Sequence, residues 1–289
     1  MRLRLVPMLC VVLTLALSIP AVTAQQPPPF ETKKIAEGVY VFRHVGHQAM
    51  FVVTPEGVIA TDPISPVASK IYLDEIRKVT QAPVRYVVYS HHHLDHIAGG
   101  APFKEAGATF VAHRRAKATL EGLKNAATVI PDLVVDDRAT LTLGGTQVQL
   151  IHVGRNHTDD ALVVLVPKEK VLFAVDWIPI KAILFRNVPE SFYDEWMEGL
   201  DRVLALDWDR LVPGHPTPAG TGTKEDVRAL KGYMTDLKDA VKVASDAGKC
   251  FDTAMKEVKL PKYEQWGRYN EFLPGNVERL CFYWRIGWR

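Results

Sequence analysis

One short stretch, residues 87–100, restricts the folds open to this chain more than any other feature. It reads Val-Val-Tyr-Ser-His-His-His-Leu-Asp-His-Ile-Ala-Gly-Gly and holds four of the ten histidines of the chain. On an extended backbone alternate side chains share a face, so we expect His91 and His93 to point the same way. A turn after them brings Asp95 and His96 alongside. Imidazole and carboxylate ligands in this combination suit zinc, and the rest of the fold must hold this stretch where other ligands can reach it.

Three further candidate ligands share one setting, the end of a predicted strand: His157, Asp176 and His215. Strand ends gather at an edge of a sheet, so side chains placed there can meet although they are distant in sequence. The sequence therefore predicts one metal centre that is built from several strand ends.

Short β-branched and aromatic runs separated by Gly and Pro predict strands, and apolar residues at intervals of three and four predict helices. The strands are predicted at 39–42, 49–53, 58–61, 84–89, 109–111, 139–143, 147–153, 161–166, 171–175 and 211–212. Helices are predicted at 68–79, at 101–103, through Leu120 and Leu123, at 196–204, from 224 through 241, at 254–258 and at 277–284. With 47% hydrophobic residues among 289, two strand-rich halves flanked by helices predict a layered α/β sandwich.

The first 24 residues differ from the rest of the chain. Two arginines precede the apolar run 11–17, and small residues end at Ala24, a pattern typical of a secretory signal peptide. A single N-terminal anchor helix is the alternative, although the run is shorter than the roughly 20 residues that span a bilayer. We expect an exported protein, periplasmic or secreted, with a flexible leader at 25–33 and no stable membrane insertion once the signal is removed.

Charge and cysteine content indicate which binding partners and which cellular compartment to expect. Removal of residues 1–24 takes away two arginines and leaves 33 basic and 33 acidic residues, so nothing favours a nucleic acid and we expect a small-molecule substrate. Two cysteines, Cys250 and Cys281, remain after that removal. An oxidising compartment would allow them to pair, and the sequence leaves a disulfide and two buried thiols equally open. It is also silent on the oligomeric state.

The motif His91-x-His93-x-Asp95-His96, followed by His157-Thr158, Asp176 and Gly214-His215, resembles the metallo-β-lactamase superfamily in order, spacing and local context. The resemblance implies an α/β fold, the four-layer αββα metallo-β-lactamase sandwich, at 34–222. Residues 223–289 are then a C-terminal helical extension that packs on the same domain.

The resemblance also implies a binuclear centre with two Zn²⁺ per chain, and iron and manganese are alternative metals. By analogy with the family, three histidines bind the first metal: His91, His93 and His157. Asp95, His96 and His215 bind the second metal, and Asp176 bridges the two. A hydroxide between the metals is the nucleophile, and Asp95 is the catalytic residue that orients it and passes a proton to the leaving group.

The resemblance implies a zinc-dependent hydrolase of an ester, thioester, lactone or amide, closest in ligand set to the glyoxalase II-like and lactonase types, and the signal-peptide pattern implies that it is exported. An aspartate in place of a cysteine at Asp176 disfavours the β-lactamase subclass with a cysteine ligand. Three alternatives stay open: hydrolysis of β-lactam antibiotics, a mononuclear-iron persulfide dioxygenase, and a metal-binding relative that is not catalytic.

Weaker signals mark four residues that could contact a substrate. His44 and His47 lie in a turn that forms a flap over the metals in related proteins. Trp177 and Phe185 lie in the apolar segment after Asp176, which is predicted either to line a pocket or to pack under the following helix.

Overall fold

The computed structural model describes residues 29–215 and 220–288. The predicted signal peptide, residues 1–24, lies outside these ranges. The flexible leader expected at 25–33 is wrong for residues 30–33, because the first strand, β1, spans Phe30–Ala36 and pairs antiparallel with the next strand. β1 lies at the edge of its sheet, because it pairs with the next strand on one side only, and its charged residues are typical of edge strands. It therefore lacks the apolar run from which other strands were predicted.

The first sheet has seven strands in the order of the chain. After β1 they are β2 (Val39–His44), β3 (His47–Thr54), β4 (Gly57–Thr61), β5 (Val84–Val88), β6 (Thr109–His113) and β7 (Leu133–Val135). The first four form an antiparallel meander, and the strands from β4 onward are parallel. Parallel neighbours require crossovers, which are supplied by α1 (Pro66–Val79), the short α2 (Leu94–Ile97) and α3 (Ala101–Glu105), and α4 (Arg114–Leu123).

The second sheet has five strands in the spatial order β12, β11, β10, β9, β8. They are β8 (Arg138–Leu143), β9 (Thr146–His152), β10 (Leu162–Val166), β11 (Val171–Ala174) and β12 (Arg210–Pro213). The first four pair antiparallel, and β12 returns parallel to β11 through α5 (Tyr193–Ala205).

The C-terminal part is helical, as predicted. It contains α6 (Lys224–Asp246), α7 (Asp252–Glu257), a 3₁₀ turn at Pro261–Tyr263 and α8 (Tyr269–Ile286). Helix α8 begins eight residues before the predicted 277–284, and the short β7 was not predicted. The pairing that the sequence left open is a disulfide, which joins Cys250, before α7, to Cys281 within α8. Within 29–215 and 220–288, every helix is too short or too polar to cross a bilayer.

Side-chain alternation along the strands divides the protein into layers. On β3, Met50 and Val52 face a core between the two sheets, whereas Ala49 and Phe51 face α1 on the outer side. On β10, Val163 and neighbouring alternate residues face α5, α6 and α8 instead. Helices therefore cover the outer face of each sheet, and the predicted four-layer αββα sandwich is confirmed.

Candidate metal centre

The predicted ligands meet at one edge of the sandwich, where strands of both sheets end. His91 and His93 lie in the loop after β5, and α2 carries Asp95 and His96. The expected alternation is present: His91 and His93 face the centre together, and the ring nitrogen Nδ1 of His92 lies 2.9 Å from a different acid, Asp160. The other three ligands arrive from the second sheet, after β9, β11 and β12.

The candidate ligands form two clusters, and the donor atoms within each lie within 4.8 Å of one another. The first cluster consists of His91, His93, His157 and Asp176. The second cluster consists of His47, Asp95, His96 and His215. All seven residues singled out in the sequence are therefore brought together, and His47 is added to them.

Asp176 lies between the two clusters, and its two carboxylate oxygens face different histidines. Oδ1 lies 3.1 Å from Nε2 of His96 and 3.2 Å from Nε2 of His215. Oδ2 lies 3.5 Å from Nε2 of His91 and 3.7 Å from Nε2 of His157. This is the position from which one carboxylate could contact a cation in each cluster.

The backbone around Asp176 is shaped to allow this approach. Asp176 itself has a positive φ of 69°, a left-handed conformation that Gly, Asn and Asp adopt more readily than other residues. Gly214 precedes the ligand His215, and a Cβ at that position would lie 2.4 Å from Val175 and 2.9 Å from Asp176 Oδ1. Only glycine lets the end of β12 come this close to the carboxylate.

Several buried ligand atoms have no hydrogen-bond partner among the described residues: Nε2 of His91, Nε2 of His96 and Oδ1 of Asp176. The 3.1 Å approach of His96 to Asp176 does not have the directionality of a hydrogen bond. Leaving buried polar atoms unpaired costs about 1–3 kcal/mol each, and these atoms are directed at the centres of the two clusters. The donor set and its geometry therefore fit metal ions.

The electrostatics of the centre also favour cations. Burial lowers the pKa of His157 to about 3, so its imidazole is neutral and can offer a lone pair. Burial opposes ionisation of Asp176, yet the surrounding histidines hold the pKa of this carboxyl well below its usual range. Burial likewise lowers the pKa of His96, but Asp176, Asp62 and Asp95 outweigh it and raise that pKa to about 9. Three carboxylates thus stabilise positive charge at the second cluster.

A second layer of contacts orients the ligand rings. Nδ1 of His215 lies 2.7 Å from the carbonyl oxygen of Gly46, to which its N–H donates, and this leaves Nε2 as an acceptor facing Asp176. Asp62 is fully buried, and burial raises its pKa to about 6. Its Oδ2 lies 3.9 Å from Nδ1 of His96, too far for a hydrogen bond, so it acts on His96 through its charge. The backbone N–H of Ser90 donates to the other oxygen of Asp62.

The two clusters differ in their access to solvent. In the first cluster His91 and His157 are buried, whereas in the second cluster the side chains of Asp95 and His215 are 54% and 50% exposed. The centre is therefore more open to solvent on the side of Asp95 and His215.

Of the four residues singled out as substrate contacts, His47 and His44 take different positions. Nε2 of His47 lies 3.2 Å from Oδ2 of Asp95, inside the second cluster. His44 pairs with His47 across the hairpin of β2 and β3, but among the described side chains it belongs to neither cluster.

Trp177 and Phe185, the other two predicted substrate contacts, differ in their exposure to solvent. Trp177 is fully buried in the core beneath α5, where its carbonyl oxygen accepts a hydrogen bond from the indole of Trp196, so its predicted place in a pocket wall is corrected. Phe185 is 56% exposed and stays a predicted substrate contact.

Sequence reasoning missed three acids that contact the ligands or their neighbours: Asp62, Asp160 and Glu190. Asp62 ends the buried strand β4, the same signal that identified Asp176 after β11. Asp160 follows His157 closely in the sequence. Glu190 lies in an exposed loop with no comparable signal.

This chain is similar in sequence and in fold to several known proteins. A family model described as the metallo-beta-lactamase superfamily matches residues 44–215. The chain is 26% identical over 192 residues to the 2,4-dinitroanisole O-demethylase subunit alpha of Nocardioides sp. (strain JS1661), with 65% of this chain and 58% of that protein covered. It is 28% identical over 150 residues to a metallo-beta-lactamase type 2 of Bacillus sp. (strain 170), with 51% and 57% covered.

A further relative is the linear primary-alkylsulfatase of Pseudomonas sp. (strain ATCC 19151), 24% identical over 260 residues, with 72% of this chain and 49% of that protein covered. The chain thus spans about half the length of the curated relatives it matches. Among solved structures, a metallo-beta-lactamase from Pontibacter korlensis superposes with a TM-score of 0.62 at 20% identity, and 71% of this chain and 99% of that chain are covered. The family match extends over more than half of the chain and includes every ligand of both clusters, and the chain therefore belongs to the metallo-beta-lactamase superfamily.

Proposed function

We propose that this protein is an exported, binuclear zinc hydrolase that cleaves an ester, thioester, lactone or amide bond. The observation that carries the proposal is Asp176, whose two oxygens face the histidines of two separate and complete clusters. Cations bound at the two clusters would lower the pKa of a water molecule toward neutrality and polarise the carbonyl oxygen of the substrate.

Different side chains of the protein would bind the cations, orient the water molecule and transfer the proton. The two histidine sets would hold the cations, and the buried Asp176 would offer one carboxylate oxygen to each set. Asp95 is half-exposed and keeps one oxygen at His47, so the carboxylate can orient a water molecule on its open side and pass a proton to the leaving group. No serine or cysteine nucleophile is required.

Two features of the chain support export. Residues 1–24 have the pattern of a signal peptide, and the Cys250–Cys281 disulfide is of the kind that persists in oxidising compartments. If the signal peptide is cleaved as predicted, N-terminal sequencing of the mature form should begin at Gln25, and a retained residue 1 would contradict that cleavage.

The substrate is best found with a panel applied to the zinc-loaded protein. The panel contains nitrocefin, lactones, thioesters, phosphodiesters and sulfate esters. Two compounds after which relatives are named, a linear primary alkyl sulfate and 2,4-dinitroanisole, are added to the panel as further test substrates. We expect turnover of at least one class, loss of that turnover on chelation and recovery with zinc.

A mononuclear-iron persulfide dioxygenase is the rival with related ligands. The completeness of the second cluster, with four donors within 4.8 Å, favours two metals over one. Metal analysis that gives two zinc ions per chain supports the hydrolase, whereas one iron per chain with oxygen uptake on a persulfide would overturn it. Metal-dependent stability with no turnover on the whole panel would instead indicate a relative that binds metal without catalysis.

A further inference from the structure

A third group of potential ligands lies beside the first cluster and shares one residue with it. The group consists of His92, His93 and Glu190. Oε2 of Glu190 lies 3.3 Å from Nε2 of His93 and 3.4 Å from Nε2 of His92. The side chain of Glu190 is 51% exposed, so it covers these rings from the solvent side.

His93 therefore has a different neighbour at each ring nitrogen. Its Nδ1 lies 3.2 Å from Nε2 of His157, inside the first cluster, and its Nε2 faces Glu190. A neutral imidazole carries one N–H, and an ionised carboxylate can only accept a hydrogen bond. When Nε2 donates to Glu190, the lone pair of His93 is left on Nδ1, directed into the first cluster.

His92 lies against Glu190 on the other side. Its two ring nitrogens lie between two acids, with Nδ1 2.9 Å from the buried Asp160 and Nε2 3.4 Å from Glu190. Asp160 in turn accepts a hydrogen bond of 2.6 Å from the hydroxyl of Thr158, next to the ligand His157. Glu190 is thus the outer end of a polar chain that runs around the first cluster.

The loop that carries Glu190 is anchored by α8. Arg279 is buried, and its guanidinium donates to the carbonyl oxygen of Ser191 at 2.7 Å and to the hydroxyl of Ser191 at 3.1 Å.

The same helix also anchors the chain before Glu190. Asn276 donates to the carbonyl oxygen of Leu184 at 2.9 Å and also to that of Arg186. A Cβ at Gly275 would lie 2.9 Å from the backbone of Arg186. The C-terminal helix therefore fixes the backbone on both sides of Glu190.

We propose that Glu190 is a positioning residue for the first metal, which it serves by holding His93 in the tautomer whose Nδ1 can coordinate. The proposal rests on the metal-dependent function proposed above, and it gives the C-terminal helices a role, because they place the acid. Partners of this kind, which bond the outer nitrogen of a ligand histidine, typically change metal affinity 10–100-fold.

The experiment measures zinc affinity at one cluster at a time, by competition with a chelator of known affinity. In a His215→Ala background the second cluster is disabled, so the titration reports the first cluster. We expect Glu190→Ala to weaken zinc binding there about tenfold and Glu190→Gln, which keeps an acceptor oxygen, to weaken it less. In a His157→Ala background, which disables the first cluster, Glu190→Ala should leave the affinity of the second cluster unchanged.

Glu198→Gln provides a matched control, because this acid lies on the neighbouring α5 and pairs with Arg202 at 2.8 Å. It should match the parent in both backgrounds. Since Glu190 is half-exposed, the metal-free Glu190→Ala protein should unfold at the same temperature as its metal-free parent.

Three outcomes would overturn the proposal. Unchanged zinc affinity in the His215→Ala background would show that Glu190 does not act on the first cluster. Equal weakening in both backgrounds would show a general distortion of the loop. Loss of a third equivalent of zinc with the first cluster unaffected would make Glu190 a direct ligand. None of these results depends on turnover, so they stay distinct from a failure of the hydrolase proposal.

Discussion

At the scale of single residues, two aspartates in one centre have different environments. The side chain of Asp176 is 10% exposed and directs both oxygens at histidines, whereas that of Asp95 is 54% exposed and has one oxygen at His47. Burial opposes ionisation of Asp95, but the hydrogen bond from His47 and the nearby His96 hold its pKa well below the usual range. Asp176 is thus suited to bridging, and Asp95 to contact with water and substrate.

Replacement of Asp95 tests this division. We expect Asp95→Ala to reduce turnover by 10²–10⁴-fold, the usual contribution of a general acid–base group, while the protein stays folded. Steady-state kinetics on the substrate found by the panel, together with circular dichroism, measure the two effects.

Asp74→Ala is the control for this variant, since Asp74 is exposed on α1 and pairs with Arg77 at 3.0 Å; it should keep full activity. An Asp95→Ala protein that retained more than a tenth of the wild-type activity would refute the catalytic role.

At the scale of elements, the loop between β11 and α5 is shaped by helices distant from it in sequence. The loop begins after Asp176 and forms two backbone hydrogen bonds with the segment before α8: Gly267 donates to Lys181 at 2.8 Å and Ile183 donates to Gly267 at 3.2 Å. Helix α8 is in turn joined to the segment before α7 by the Cys250–Cys281 disulfide. The helical extension thus acts as a support for one side of the metal centre, although the family match ends at residue 215.

The disulfide should contribute measurably to stability. It closes a segment with a sequence separation of 31 residues, and loops of this length stabilise a protein by about 2–4 kcal/mol through the unfolded state. We expect the Cys250→Ala/Cys281→Ala double variant to lose about that much in urea unfolding. A reductant should destabilise the wild type and leave the variant unchanged, and a titration that found two free thiols in the denatured, unreduced protein would contradict the pairing.

At the scale of the whole molecule, the two sheets also meet through a pair of histidines that belong to neither ligand cluster. His113 ends β6 of the first sheet and His152 ends β9 of the second, and their rings stack with centroids 4.4 Å apart. Burial, with the neighbouring His152, lowers the pKa of His113 to about 4, although Asp160 and Asp136 oppose that effect. Burial also lowers the pKa of His152. Both rings are therefore neutral in the folded protein near pH 7.

This pair should make the fold less stable in mild acid. His113 binds a proton near pH 6.5 when unfolded but only near pH 4 when folded. The unfolded state therefore holds more protons between these values, and stability is lost as the pH falls from about 6.5 to about 4. The expected loss from this residue is on the order of 1–3 kcal/mol.

His113→Asn is the variant that isolates the effect. Nδ1 of His113 accepts the backbone N–H of Arg115 at the start of α4, and Asn can cap a helix in the same way. Denaturant unfolding of the metal-free proteins at pH 7, 5.5 and 4.5 should show a smaller loss of stability with acid for the variant. Parallel pH profiles for the two proteins would contradict the assignment.

The local sequence determines many features of this protein, including most of its metal-ligand candidates and its strands. The ligands in residues 91–96 are separated by one or two positions, so backbone geometry alone brings them together. Near-continuous apolar runs on β3 and β10 specify strands that are buried on both faces, and hence a layer on each side. Asp176 and His215 were found because each follows a buried strand.

Tertiary structure alone decided the contacts between distant segments. His47 lies 48 positions from Asp95, and Glu190 lies 97 positions from His93; neither belongs to a motif, and each meets its partner only because a hairpin or a loop is folded over the centre. The sequence left open whether the segment with Trp177 lines a pocket or packs under a helix, because an apolar segment reads the same whether it lines a cavity or fills a core. The physical reason is common to all three: sequence patterns record the faces that one element buries, whereas the packing of several elements decides what those faces meet.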